Sequence, residues 1–151
     1  MERLLVDADL DYLDDVIDMI INEMDKVGCT GKSENMIRLA IEEVFVNIVS
    51  YAYSDESFKK NDSEKVSDDV LKWGKAEIKV DVTDNPSNLV ITFSDMGQPY
   101  DPLKKEDPDV NLAIEDRPVG GLGIYLVKQI MDDIRYEYSD GKNVLTLIKN
   151  L

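Results

Sequence analysis

The sequence contains no histidine, and its 151 residues include only one cysteine, Cys29. Without histidine, this chain cannot carry out Ser-His-Asp hydrolysis, ligate zinc through imidazole or form a phosphohistidine. A single cysteine cannot form an internal disulfide, which favours a reducing compartment and argues against a cysteine-based metal site. These absences exclude several classes of enzyme and metalloprotein.

Basic residues and long apolar runs are also scarce. The chain has 17 basic and 32 acidic residues, a net charge of -15. This balance argues against direct binding to nucleic acid or to an anionic membrane, and it permits a basic protein partner or an acidic surface that only maintains solubility. No apolar run approaches the roughly 20 residues of a membrane span. From its length we expect the chain to form one domain, residues 1–151. From the lack of a long apolar run we expect a cytoplasmic protein.

Apolar residues spaced three and four apart predict two helices in the first third of the chain. The first follows a short edge strand at residues 3 to 6 and ends at Gly28. The second runs from Ser33 to about Ala52, and its apolar stripe is wide enough for the helix to be mostly buried.

Alternating apolar residues predict two pairs of strands in the rest of the chain. The first pair is Ala76 to Thr83 and Leu89 to Ser94, and the second is Arg135 to Ser139 and Val144 to Lys149. A helix from about Leu122 to Asp133 lies between the pairs. This order predicts an α+β fold with a mainly antiparallel, mixed sheet covered on one face by helices.

Two polar segments lack sustained periodicity. Residues 54 to 69 suggest a mobile loop or an insertion. Residues 100 to 119, rich in proline and charge, are too long for an ordinary connection and are typical of a functional lid.

Three short motifs carry the chemistry. Glu43 and Asn47 are four residues apart, so they share a helix face where they could handle a hydroxyl or water and a metal, although such a pair alone is more often structural. Asp95, two residues before Gly97, offers a hydrogen-bond acceptor beside room for a flat base. Glycines between 120 and 123 precede a helix and present free N–H groups to phosphate oxygens. In this order the motifs indicate an ATP site.

The glycine motif does not belong to the commonest nucleotide-binding folds. Gly120 to Gly123 is not followed by the Lys-Ser/Thr of a P-loop, and it does not close a first βα turn as in a Rossmann unit. With all three motifs in place, the chain instead resembles the GHKL ATPase superfamily (Bergerat fold), most closely its small anti-sigma-factor serine kinase branch. The resemblance extends from the first helix to Leu147, and it implies a two-layer α+β sandwich.

The resemblance also implies a role for each motif residue. Glu43 would be the general base, Asn47 would bind Mg²⁺, and Asp95 would accept the adenine amino hydrogen beside the space left by Gly97. Relatives often carry histidine where this chain has Tyr51, so a contact made by that histidine is in question here. The other positions implied are Gly120, Gly121 and Gly123 at the phosphates, and Thr146 on the last strand beside the adenine.

The function implied is that of an ATP-dependent serine/threonine protein kinase. Such a protein would phosphorylate a small antagonist protein, sequester a sigma factor or another regulatory protein by partner switching, and could pair as a homodimer. Two alternatives remain open: an ATP-binding regulator that acts by sequestration alone, and a plain ATP hydrolase.

Overall fold

The computed structural model describes residues 1–28, 31–59, 69–83, 87–104 and 122–151. Within them, five strands and three α-helices define the fold. The strands are β1 (Glu2–Asp7), β2 (Lys75–Thr83), β3 (Asn88–Asp95), β4 (Asp133–Ser139) and β5 (Lys142–Asn150), and the helices are α1 (Leu13–Lys26), α2 (Lys32–Asn47) and α3 (Leu122–Ile130).

The strands form one sheet in the order β1-β2-β3-β5-β4, and each of the four described pairings is antiparallel. The predicted α+β class and antiparallel sheet are therefore confirmed. Because β5 lies between β3 and β4, the end of β3 meets the beginning of β5, and Asp95 lies directly opposite Asn143. The candidate site lies at this end of the two paired strands.

Side chains alternate between the two faces of each strand. Leu89, Ile91 and Phe93 on β3 and Leu145 and Leu147 on β5 point to one face, where they are nearly fully buried. The three helices supply the other half of this core, which confirms the prediction that they cover one face. Their buried apolar residues include Val16, Ile20 and Met24 of α1, Ile37, Ile41 and Phe45 of α2, and Val127 and Ile130 of α3.

The hairpin between β4 and β5 has a two-residue turn, Asp140–Gly141. Both residues have positive φ, 55° and 78°, as in the tight turns that match the twist of antiparallel strands. Ser139 therefore pairs with Lys142, and β5 begins two residues earlier than the alternation of apolar residues predicts. Asn143, which the sequence placed in the turn, is thus a strand residue.

The second helix does not continue as a regular α-helix to Ala52. After Asn47 the chain forms a π-helical turn, Ile48–Ala52, a wider winding that is often found at functional sites. The end of this turn is attached to the segment after β3, because the Gln98 amide donates to the Ala52 carbonyl at 3.1 Å. The Tyr53 hydroxyl adds a second link by donating to the Lys75 carbonyl and accepting from the Met96 amide.

Two sequence predictions lie largely outside the described residues. The polar segment 54 to 69 is described only up to Lys59 and again from Asp69. The segment interpreted as a lid, 100 to 119, is described only as far as Lys104.

Candidate functional site

Asp95 is the last residue of β3, at the C-terminal end of this central strand. Its carboxylate is buried, and only 6% of the residue's surface is exposed. Its Oδ1 atom accepts two hydrogen bonds, from the Gly97 amide and from Asn143 Nδ2, each at 2.9 Å. No described residue donates to Oδ2. Burial raises the pKa of Asp95, and the bonds from Asn143 and Gly97 oppose that rise. The carboxylate thus keeps one acceptor oxygen for a ligand.

Asp95 forms part of the wall of a cavity between the sheet edge, α2 and α3. The cavity holds about 450 Å³ of space free of protein atoms, part of it open to solvent. Apolar side chains dominate the wall, and Asn47 stands among them. The lining residues are Val44, Asn47, Ile48, Ala52, Phe93, Asp95, Tyr100, Pro102, Ile124, Tyr136, Asn143 and Leu145. A flat apolar ligand with one hydrogen-bond donor matches this wall.

Glu43 and Asn47 occupy successive turns of α2, and both are half-buried. Glu43 lies against the first turn of α3, because a Cβ atom added at Gly123 would stand 2.3 Å from Glu43 Oε2. The positive end of the α3 dipole attracts a carboxylate there. Of the predicted residues, Asn47 and Asp95 therefore line one cavity, and Glu43 and Gly123 lie close to each other, next in sequence to the lining residues Val44 and Ile124.

At position 97 the π-helical turn leaves no room for a side chain. A Cβ atom at this position would lie 1.9 Å from the Ala52 carbonyl oxygen and 2.5 Å from its carbon. The resemblance implies that this glycine leaves space for a base, and on the side where a Cβ atom would stand the backbone of Ala52 occupies the space. Gly97 also donates its amide to Asp95, so it helps to shape the site.

Thr146 is not brought to the cavity. Its neighbours Leu145 and Leu147 point into the core with Phe93 and Asp95, and alternation therefore places Thr146 on the opposite face of the sheet, across from Thr92. The expectation that Thr146 lies beside the adenine is thus corrected. The β5 residue beside Asp95 is Asn143, which the sequence analysis missed.

Tyr51, in the π-helical turn, is 40% exposed and stacks on Tyr100 with ring centroids 5.6 Å apart. Tyr100 in turn lines the cavity. Tyr51, at the position where relatives often carry histidine, is therefore held next to the cavity by its contact with Tyr100. Gly120 and Gly121 lie outside the described residues.

These features define a class of protein. Residues 6–149 match the histidine kinase-like ATPase domain family, and the chain belongs to that family. The resemblance inferred from the three motifs is thereby confirmed. The family's description does not imply a phosphohistidine here, because the chain has no histidine.

The chain is also similar to individual proteins named serine-protein kinases. The serine-protein kinases RsbW of Bacillus cereus (strain G9842) and Bacillus mycoides (strain KBAB4) are each 28% identical to this chain over 109 residues. The serine-protein kinase RsbW of Bacillus thuringiensis (strain Al Hakam) is 26% identical over the same length. Each match covers 72% of this chain and 59% of the relative. The chain therefore corresponds to less than two thirds of these relatives.

Within the described part of the chain, no helix combines the length and the apolar character needed to cross a membrane. Nor do the described residues gather three or more carboxylate, thiol or imidazole side chains into a group that could hold a metal alone. Mg²⁺ often binds to only one or two protein groups, with phosphate oxygens and waters completing its shell. The Asn47 amide on the cavity wall suits such a shared site.

Proposed function

We propose that this chain is an ATP-dependent serine/threonine protein kinase of the anti-sigma type. The observation that carries the proposal is the Asp95 carboxylate. It is buried in the cavity wall, with one oxygen saturated and the other without a donor from any described residue. The adenine amino group would supply that donor, and the apolar wall around Phe93 and Leu145 would receive the flat base.

The phosphates would extend from the base towards α2 and the N-terminus of α3. Asn47 would bind Mg²⁺, which would neutralise charge on the phosphate oxygens. Amides at the start of α3, with Gly120, Gly121 and Gly123, would donate to those oxygens. The close approach of Gly123 to Glu43 supports this arrangement, because it places the carboxylate at the same helix terminus.

Glu43 would act as the general base for phosphoryl transfer. As the hydroxyl oxygen of a serine or threonine bonds to the γ-phosphorus, the bond to the bridging oxygen breaks and ADP leaves. Glu43 would accept the hydroxyl proton, so that no charged alkoxide and no protonated phosphoester is left behind. The acceptor would be a small antagonist protein, and the partner held by the kinase would be a sigma factor or another regulatory protein.

The proposal is tested by following labelled phosphate from Mg·ATP to protein in a cell extract. Glu43→Gln should bind Mg·ATP but lose transfer by roughly 10²- to 10⁴-fold, the usual contribution of a general base. Glu42→Gln is the matched control, because Glu42 is the adjacent, exposed glutamate on the same helix. Full transfer by Glu43→Gln would overturn the assigned mechanism. If wild-type protein binds ATP and its partner without any transfer, the alternative of sequestration alone is supported instead.

A further inference from the structure

We propose that Asn143 is a positioning residue that sets adenine selectivity by fixing the Asp95 carboxylate and the segment that follows β3. This inference rests on the proposed nucleotide site. Its basis is the set of hydrogen bonds made by the buried Asn143 side-chain amide, a residue outside the three nucleotide motifs.

Asn143 is 6% exposed and uses its complete hydrogen-bonding capacity within the protein. Its Nδ2 group donates to Asp95 Oδ1 at 2.9 Å and to the Gln98 carbonyl at 2.7 Å. Its Oδ1 atom accepts from the Tyr100 amide at 3.1 Å and from the Tyr136 hydroxyl at 2.5 Å. No donor or acceptor is left for a ligand, so Asn143 acts through the groups that it holds.

The orientation of this amide follows from its partners. If the oxygen and nitrogen of Asn143 were exchanged, the oxygen would face two acceptors, Asp95 Oδ1 and the Gln98 carbonyl, and the nitrogen would face the Tyr100 N–H group. Only the observed orientation satisfies all the partners. Burial also raises the pKa of the Tyr136 phenol, which keeps that group protonated as a donor.

Two consequences for the site follow. Since Asn143 and Gly97 both donate to Oδ1 of Asp95, the carboxylate cannot rotate freely and Oδ2 remains the available acceptor. Asn143 also bonds to Gln98 and Tyr100, on either side of Pro99, and so attaches the beginning of the segment after β3 to β5. A purine amino group therefore meets an acceptor that is already oriented.

The test compares ATP with inosine triphosphate, which lacks the amino group, by isothermal titration calorimetry with Mg²⁺. Wild-type protein should prefer ATP by roughly tenfold or more, the usual effect of one hydrogen bond to a charged group. Asn143→Asp keeps the shape but replaces the donors to Asp95 with a second carboxylate, so the preference should fall towards one while binding of inosine triphosphate changes little. Asn150→Asp makes the same chemical change at an exposed position of the same strand and should leave the preference intact.

A second variant covers the case in which Asn143→Asp does not fold. Asn143→Thr suits a strand and retains a single hydroxyl, which cannot make four bonds. It should lower the ATP preference and speed hydrogen exchange of the Tyr100 amide in nucleotide-free protein, as measured by NMR. An unchanged preference in either folded variant would overturn the inference.

The outcomes also separate this inference from the proposed function. If wild-type protein binds neither nucleotide, the proposed function fails and the role in selectivity fails with it. If it binds both with equal affinity, the nucleotide site stands and the role of Asn143 in selectivity is contradicted.

Discussion

Among single residues, the proposed site depends most on Asp95, whose charge has opposite effects on folding and on binding. Its pKa is raised in the folded state because the carboxylate is buried. The folded protein therefore favours the protonated form, and the associated stability is fully present below the unfolded pKa and is lost as pH rises through the folded pKa. Adenine recognition has the reverse dependence, because the ionised carboxylate is the better acceptor.

The preference for ATP over inosine triphosphate should consequently decrease as pH is lowered through the raised pKa of Asp95. The phosphate groups titrate alike in both nucleotides, so their contribution cancels in the ratio of dissociation constants. Titration calorimetry at a series of pH values, from neutral pH downwards for as long as the protein stays folded, measures this ratio. A preference that grows on acidification would show that Asp95 does not accept from the base.

The position of Asn143 in the hairpin was predicted wrongly, although the Asp-Gly pair before it indicates the correct position. The run Asp140-Gly141-Lys142-Asn143 predicts a turn that includes Asn143. An Asp-Gly pair is itself a strong signal for a two-residue hairpin turn. Had β5 been started at Lys142, alternation would have put Asn143 on the buried face with Leu145. Alternation with Leu145 and Leu147 also places Thr146 on the opposite face, whichever of these residues begins the strand.

At the scale of elements, the contact between the end of β3 and the π-helical turn should be sensitive to one added carbon. In Gly97→Ala the new Cβ would overlap the Ala52 carbonyl, a backbone group that cannot rotate away. The hydrogen bond between Gln98 and Ala52 should be lost as the two segments separate. We expect the free energy of unfolding to fall by about 2–4 kcal/mol, from overpacking and one lost hydrogen bond. Denaturant unfolding measures this loss, and unchanged stability would contradict the packing described.

The same substitution at Gly123 should affect activity rather than folding. Its Cβ would meet the end of the flexible Glu43 side chain, which can move aside, and alanine is favoured over glycine in a helix by up to about 1 kcal/mol. Displacing the carboxylate by about 1 Å should lower phosphoryl transfer by roughly 10²-fold. A Gly123→Ala protein of normal stability with normal transfer would show that the position of Glu43 is not critical.

Local pattern predicted which elements exist but not how the second helix ends. The periodicity of α1 and α2 and the alternation in β2 and β3 follow from residues that bury one face. The π-helical turn depends on the Gln98 amide and on the space at Gly97, both about 45 residues further along the chain. Such long-range contacts leave no periodic signal within the helix. For the same reason, the β3–β5 pairing that unites Asp95 with Asn143 was not foreseen.

At the scale of the whole molecule, the elements converge on one cavity. The sheet order places β3 beside β5 in the interior of the sheet, and residues of α2 and α3 line the cavity together with residues of these two strands. A ligand in the cavity would touch strands, helices and the segment after β3 at once. Binding should therefore be linked to the stability of the entire fold.

The most direct test of the nucleotide site is the thermal unfolding of the protein with and without Mg·ATP. At a hundred times the dissociation constant, ligand binding should stabilise the folded state by about 2.7 kcal/mol, and Tm should rise by roughly 5–10 °C for a chain of this size. Asp95→Asn, which replaces an acceptor oxygen with an amide, should abolish most of this rise. Asp81→Asn, on β2 away from the cavity, should retain it. No rise in the wild-type protein, or a full rise in Asp95→Asn, would contradict the assignment of Asp95 as the adenine acceptor.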